Sequence, residues 1–356
     1  MTDVIGHDLG LTAISGVPTT DQPQKAKDFA SDQEIRWCPG CGDYVILNTI
    51  RNFLPELGLR RENIAFISGI GCSSRFPYYL ETYGMHSIHG RAPSIATGLA
   101  VARPDLSVWV VTGDGDALSI GGNHLLHILR RNVDVQFLLF NNEIYGLTKG
   151  QYSPTSRQGT RSPSTPLGSL EAPVSPASFA LGAGARFVAR GVDTQQKRLP
   201  PLLARAHAHK GASFVEIFQN CIVYNDGAFG GFTGKPVADD TQLHLEHGKP
   251  LIFGRNRDKG LRLLPNQTYL EVVTLGEGWV TEEDIMVHDE TNRTMAALLA
   301  GMQPPSFPMA LGVLFCNPQP SYEIQVRDQI AAANAKHDGT GDIGALLRSG
   351  HTWTVE

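Results

Sequence analysis

The stretch GDGDALSIGGNHLLHILRRNVDVQFLLFNNEIYG, residues 113–146, decides how this chain is read. The apolar run VWVVTGDGD at 108–116 reads as a buried strand ending on glycines, LSIGGNHLLHILRRN as a helix and VDVQFLLFNN as the next strand. Glycines in a strand-to-helix turn let the backbone approach a phosphate group. The dinucleotide fingerprint nevertheless fails, because Leu118 stands where a third glycine would be and no acid follows at the ribose position. No Gly-Lys-Ser/Thr follows, so a P-loop fails as well. What remains is an acid, Asp114, between two glycines. A helix of about 15 residues rises roughly 22 Å and a strand of about 7 residues returns roughly 23 Å. Asp114 and Asn142 are therefore expected to meet at the carboxyl ends of neighbouring parallel strands, where open α/β sheets bind ligands. A carboxylate, a side-chain amide oxygen and nearby backbone carbonyls suit a hard Mg²⁺ ion, with phosphate oxygens completing its octahedron.

Working outward, the same alternation recurs. Asp43 is placed to cap a helix whose apolar residues Val45, Ile46, Ile50, Phe53, Leu54 and Leu57 follow helical spacing. IAFIS at 64–68 reads as a buried strand running into the turn GIGCSS, and the small residues of 93–101 suit a closely packed helix. A Ser- and Pro-rich loop at 153–176 precedes a strand ARFVARG, a helix near 194–209 and a strand ASFVEIF at 212–218. Strands this apolar, separated by helices, predict a doubly wound α/β domain with a parallel sheet covered on both faces. It is expected to span 35–224. Residues 1–34 read as a partly irregular arm, and 225–356, with a hairpin around RNRDKG, as a C-terminal extension packing on the core or on a partner subunit.

Composition narrows the function classes. A net charge of -5 with 18% charged residues gives no basic field to collect nucleic acid. The local cluster of Arg157, Arg161 and Lys149 reads as a loop or an acid-recognition patch. No signal-like amino terminus and no bilayer-length apolar run is seen, and five cysteines without regular spacing do not form a secreted disulfide framework. The expectation is a cytoplasmic protein with no membrane and no nucleic-acid partner.

The cysteines then need a chemical explanation. Cys38 and Cys41, in RWCPGCGDY, have the spacing of a redox dithiol, but Pro-Gly reverses the order common there and the surrounding layout is not thioredoxin-like. A zinc ribbon brings two close pairs, whereas Cys72, Cys221 and Cys316 stand alone; spacing by itself leaves a Cys₄ zinc site open. Cys72 and Cys221 both lie in loops just past strand ends, so they and the Cys38–Cys41 pair are expected on one side of the sheet. Cys316, ending an apolar strand, reads as a small buried hydrophobe. Four thiolates beside an organic cofactor fit an iron–sulfur cluster better than zinc if the chemistry releases electrons.

The Gly113-Asp114-Gly115 turn with Asn141-Asn142 resembles the diphosphate-binding motif of thiamine-diphosphate enzymes. With WCPGCGDY, GIGCSSRFPYY, HGRAPSIATG, GDGDALSIGGNHLLH, NNEIYGLTKGQYSPTS and NCIVYND, the chain over 37 to 225 resembles the β subunit of the 2-oxoacid:ferredoxin oxidoreductases. That resemblance implies the pyrophosphate-domain type of thiamine-diphosphate fold. It implies a [4Fe-4S] cluster on Cys38, Cys41, Cys72 and Cys221, and Mg²⁺ on Asp114, Asn142 and the carbonyl of Ile144. It also implies thiamine diphosphate contacts from Ile70, Gly71, Cys72, Ser73, His89, Gly90, Gly113, Gly115, Asp116, Gly146 and Leu147. Arg75 would read the substrate carboxylate, and His89 would serve the chemistry as well as the cofactor.

The resemblance further implies oxidative decarboxylation of 2-oxoglutarate with coenzyme A to succinyl-CoA and CO₂, electrons leaving singly through the cluster to ferredoxin. The activating glutamate would come from the pyrimidine-binding domain of an α subunit, within an α₂β₂ assembly. Alternatives are a pyruvate or broad-range 2-oxoacid enzyme, a non-redox thiamine-dependent decarboxylase subunit, or a zinc-stabilised binding protein.

Overall fold

The computed structural model describes residues 16–264, 269–336 and 341–355. The first part of the expected arm, 1–15, lies outside the described residues. The fold is built on β1 (Ile64–Ser68), β2 (Tyr83–His86), β3 (Ser107–Gly113), β4 (Gln136–Asn141), β5 (Phe187–Val192) and β6 (Ser213–Phe218), followed by β7 (Gln242–His244), β8 (Ile252–Phe253), β9 (Lys259–Leu263), β10 (Leu270–Thr274) and β11 (Met309–Cys316). The main sheet has eight strands in the order β2-β1-β3-β4-β6-β5-β11-β7, and β10-β9-β8 form a small antiparallel sheet that includes the hairpin expected around RNRDKG. The first six strands of the main sheet are parallel, whereas β11 runs antiparallel to β5 and carries β7 beside it. The segment after 225 thus gives the main sheet two of its strands.

Apolar residues on both faces of each central strand explain the two-sided cover. In β3, Val108 and Val110 pack towards one core while Trp109 and Val111 pack towards the other, and all are buried. The first core is closed by α2 (Ala92–Ala102), α4 (Gly122–Arg131) and α5 (Pro176–Gly182), the second by α1 (Asp43–Phe53) and α6 (Leu199–Ala208). The alanines 92, 96 and 100 on α2 let that helix lie close against the strands. Among the described residues no helix is long and apolar enough to cross a membrane.

Three local features differ from the sequence reading, each for a physical reason. Asp43 does not cap α1. Gly42 holds the cap position, and Asp43 is the first helical residue, 1% exposed. The strand expected over 108–116 stops at Gly113 and gives way to a short helix α3 (Asp114–Leu118), and the helix expected over 118–132 begins only at Gly122 as α4, because the chain between them folds so tightly that a Cβ on Gly121 would lie 2.4 Å from the Asp116 carbonyl. The edge strand β2 carries mostly exposed residues, so no apolar run announces it. Part of the arm is ordered: Phe29 is fully buried and Ala30 bridges Leu80.

Candidate active site

Strand order reverses between β1 and β3: the chain leaves β1 for β2 on one side and leaves β3 for β4 on the other. Their carboxyl ends therefore splay apart into a crevice, the usual ligand position of an open α/β sheet. A cleft of about 110 Å³ lies there. It is lined by Ile70, Gly71, Cys72 and Ser73 after β1, His89 after β2, Gly113, Asp114, Gly115 and Asp116 at the end of β3, and Asn142, Ile144, Gly146 and Leu147 after β4. A larger cavity of about 780 Å³ adjoins it, shares His89 and Tyr145, and is walled by the 151–174 loop.

Asp114 is 2% exposed, and burial pushes its carboxyl above the usual carboxylate range, opposed by the Ser153 and Thr155 hydroxyls and by the Asn142 N–H. The Thr155 hydroxyl lies 2.6 Å from Asp114 Oδ2 and 3.1 Å from Asn141 Oδ1, tying the two strand ends together. Asn142 is oriented from both sides: its Nδ2 donates to Gln219 Oε1 at 2.9 Å, and its Oδ1 accepts from the Ile144 N–H at 3.2 Å. The sharp turn needs Glu143 at φ 54°, a left-handed backbone held by a hydrogen bond from its N–H to Asn141 Oδ1. Burial drives the Glu143 carboxyl up to about 7, with Arg157, 3.3 Å away, pulling it down and Asp114 pushing it up.

Asp116 has a different role in the geometry. Its Oδ1 accepts from the N–H groups of Ile70 at 3.0 Å and Gly90 at 2.7 Å and pairs with His89 Nδ1, while Oδ2 accepts from the Thr112 hydroxyl at 2.7 Å. One buried carboxylate thus fixes the turns after β1 and β2 and holds one nitrogen of the His89 ring, leaving the other for the cleft. Close approach needs bare backbone here: a Cβ on Gly69 would lie 1.9 Å from Asp116 Oδ2, and one on Gly115 2.3 Å from the Tyr145 ring.

The four loop cysteines gather on the same rim. The Cys38–Cys41 turn lies flat on the loop after β6: a Cβ on Gly40 would meet Ile222 at 2.9 Å, and Gly42 N–H donates to the Asn220 carbonyl at 3.2 Å. Trp37 Nε1 donates to the Cys72 carbonyl at 2.7 Å, joining that turn to the one after β1. A Cβ on Gly146 would lie 3.5 Å from the Cys221 sulfur and 3.6 Å from that of Cys72. Burial pushes the Cys72 thiol up to about 12, with Asp43, Cys221 and Cys38 adding to it; burial, Asp43, Cys72 and Cys221 raise that of Cys41 further. Among the described residues no three His, Cys, Asp or Glu side chains are placed to hold a single metal ion.

Arg75, an expected site residue, stands apart from the cleft, and Cys316 is the small buried hydrophobe its strand position suggests. Arg75 follows Cys72 by less than one helical turn, but its Nη1 donates to the Arg36 carbonyl at 3.0 Å and it does not line the cavity. Cys316 is paired in register with Phe187, the first residue of β5, and so sits at the opposite edge of the sheet, 1% exposed, with its sulfur 3.9 Å from His209 Nδ1. Sequence reading singled out neither Thr155 nor Gln219. The first stands inside the SPTS stretch and the second just before Cys221, and only folding brings them to Asp114 and Asn142.

Residues 69–217 match the C-terminal TPP binding domain of thiamine pyrophosphate enzymes, which places the crevice in a thiamine-diphosphate-binding domain. The chain is 56% identical to the 2-oxoglutarate oxidoreductase subunit KorB of Mycobacterium tuberculosis over 99% of its own length and 96% of that protein. It is 43% identical to the 2-oxoglutarate synthase subunit KorB of Methanothermobacter thermautotrophicus, over 53% of this chain and 66% of the relative. The structure of 2-oxoglutarate:ferredoxin oxidoreductase from Magnetococcus marinus, solved with 2-oxoglutarate, coenzyme A and succinyl-CoA, superposes with a TM-score of 0.74 at 33% identity, covering 94% of this chain and 100% of that one. The chain belongs to the β-subunit family of the 2-oxoacid:ferredoxin oxidoreductases.

Proposed function

We propose that this chain is the thiamine-diphosphate-binding β subunit of a 2-oxoglutarate:ferredoxin oxidoreductase. It acts with an α subunit in an α₂β₂ assembly and takes 2-oxoglutarate and coenzyme A to succinyl-CoA and CO₂. The observation that carries the reading is the position of Gly146, which lines the cleft beside Asp114 and Asn142 and also stands between the sulfurs of Cys72 and Cys221. A diphosphate cradle and a quartet of thiols share one rim.

The residues fit the groups this reading requires. Asp114, Asn142 Oδ1 and the Ile144 carbonyl offer the hard oxygen set that Mg²⁺ takes, and the glycine turns give a diphosphate access to bare backbone. Cys38, Cys41, Cys72 and Cys221 offer four thiols spread over a rim. Four thiolate donors are the ligand number a [4Fe-4S] cluster takes, and Gly146 brings the Cys72 and Cys221 pair up to the cofactor cleft, where a one-electron acceptor would be needed. Bound together, these groups supply carbanion stabilisation at the thiazolium ring and one-electron acceptance beside it.

The chain's own residues position and shield. Thr155 and Ser153 hold Asp114, Gln219 holds Asn142, and Asp116 holds one nitrogen of the His89 ring, leaving the other to serve a group bound in the cleft that His89 lines. Arg75, once turned from the Arg36 carbonyl, offers a guanidinium that binds a carboxylate with two hydrogen bonds. The α subunit supplies the pyrimidine-binding half with its glutamate, and ferredoxin receives the electrons. The test is anaerobic turnover by the co-purified α–β complex with ferredoxin as acceptor. The expected result is coenzyme A-dependent reduction with 2-oxoglutarate and at least about tenfold less with pyruvate; equal rates would replace the substrate assignment with a broad-range one.

A further inference from the structure

Gln219 joins the two ligand sets through hydrogen bonds whose direction the surroundings fix. It is 1% exposed, and its N–H donates to the Asn141 carbonyl at 2.8 Å, anchoring it at the end of β6. Its Nε2 donates to the Asn220 carbonyl at 2.6 Å and to the Cys41 sulfur at 3.2 Å, using both amide protons. Its Oε1 accepts from Asn142 Nδ2 at 2.9 Å. The two amides cannot be reversed. A backbone carbonyl requires nitrogen at Nε2, and the Ile144 N–H requires oxygen at Asn142 Oδ1. The path therefore runs one way, from the Asn142 oxygen that would take Mg²⁺, through two amides, to the Cys41 sulfur that would ligate the cluster.

From this we infer that Gln219 is a positioning residue that couples occupancy of the diphosphate site to the reduction potential of the iron–sulfur cluster. The inference rests on the function proposed above. A cation on Asn142 Oδ1 polarises that amide and strengthens its Nδ2–H as a donor to Gln219. The polarised Gln219 amide then donates more strongly to Cys41. An N–H donor at a cluster sulfur stabilises the more negative, reduced state and raises the potential. The cluster thus becomes a better acceptor when cofactor is in place, and is a poorer sink for stray electrons when it is not. The coupling concerns a one-electron equilibrium and requires no bond to form or break.

The experiment is a redox titration of the co-purified, anaerobic α–β complex, with dithionite supplying the electron and the reduced-cluster electron paramagnetic resonance signal as the readout. It is run with and without Mg²⁺–thiamine diphosphate, on the wild type and on Gln219→Leu. In the wild type, loading is expected to shift the potential to a more positive value. In Gln219→Leu the unloaded potential is expected to be more negative than in the wild type, and the increment on loading is largely lost. The positive thiazolium ring acts through space in both proteins, so any residual increment measures that effect. An increment in Gln219→Leu equal to that of the wild type would overturn the inference, as would a wild type whose potential does not rise on loading; Gln219→Met, of similar length and without the amide, carries the same comparison should the first variant fail to assemble. Absence of a cluster signal or of bound thiamine diphosphate in the wild type would instead overturn the functional reading itself.

Discussion

The two edges of the main sheet carry similar side chains to opposite ends. At the carboxyl edge, Asp114 at the start of α3, His89 and Cys72 line a cleft, with the Cys221 sulfur beside Cys72 across Gly146 and with Thr155 and Asp116 holding Asp114 and His89. At the amino edge, Cys316, His207, His209 and the Arg205–Glu290 pair are packed among strand starts. His207 stacks on Trp109 with its Nε2 3.2 Å from the Ser107 hydroxyl, and Arg205 makes two hydrogen bonds, of 2.9 and 2.7 Å, to Glu290. Residue type does not distinguish the edges; strand direction does. Parallel strands splay where their order reverses, so the same chemistry is accessible at one edge and sealed at the other.

Breaking one edge should therefore leave the other intact. The largest effect is expected for Asp114→Ala, which removes the only carboxylate of the proposed Mg²⁺ set. Affinity of the α–β complex for thiamine diphosphate in isothermal calorimetry should fall by roughly 100-fold or more, with iron content unchanged. Loss of iron together with unchanged thiamine binding would contradict the assignment. Next comes Arg205→Ala at the amino edge, which strands the buried Glu290 carboxylate. Global stability should drop by on the order of 3 kcal/mol, seen in chemical denaturation, while cofactor affinity is retained.

The amino edge also sets an acid limit. Burial lowers His207 to about 4 and His209 to about 3, with Lys210 and Arg205 respectively adding to the effect. A histidine whose folded value is depressed contributes stability that is present above its unfolded value and lost as pH falls towards the folded one. Melting temperature should accordingly decline between about pH 6.5 and pH 4, and His207→Gln should flatten part of that decline. A melting temperature insensitive to pH over this window would show that these histidines are protonated without cost. The smallest effect is expected for Cys316→Ala, on the order of 1 kcal/mol or less, with iron and activity unchanged. A missing cluster in that variant would mean the fourth ligand had been misassigned.

The sequence made one edge more legible than the other. IAFIS and the strands around 108, 136 and 213 could be read because a parallel strand covered on both faces must be apolar throughout. The meeting of Asp114 and Asn142 followed from counting rise along a helix and a strand. The break between α3 and α4 did not, since it depends on the approach of Gly121 to a carbonyl five residues earlier. Nor did the strand pairing of β11 with β5, between residues over a hundred positions apart, which no local pattern records. Thr155, Gln219 and the Asp116–His89 pair were missed as supports for the same reason: each acts on a partner that only the folded sheet brings near.

The central claim is that a magnesium-held diphosphate and a four-sulfur cluster share one rim. Metal, acid-labile sulfide and thiamine analysis of the anaerobically purified α–β complex tests it most directly. The account predicts about four iron and four sulfide per chain, with one thiamine diphosphate. One zinc, no sulfide and no thiamine would contradict it.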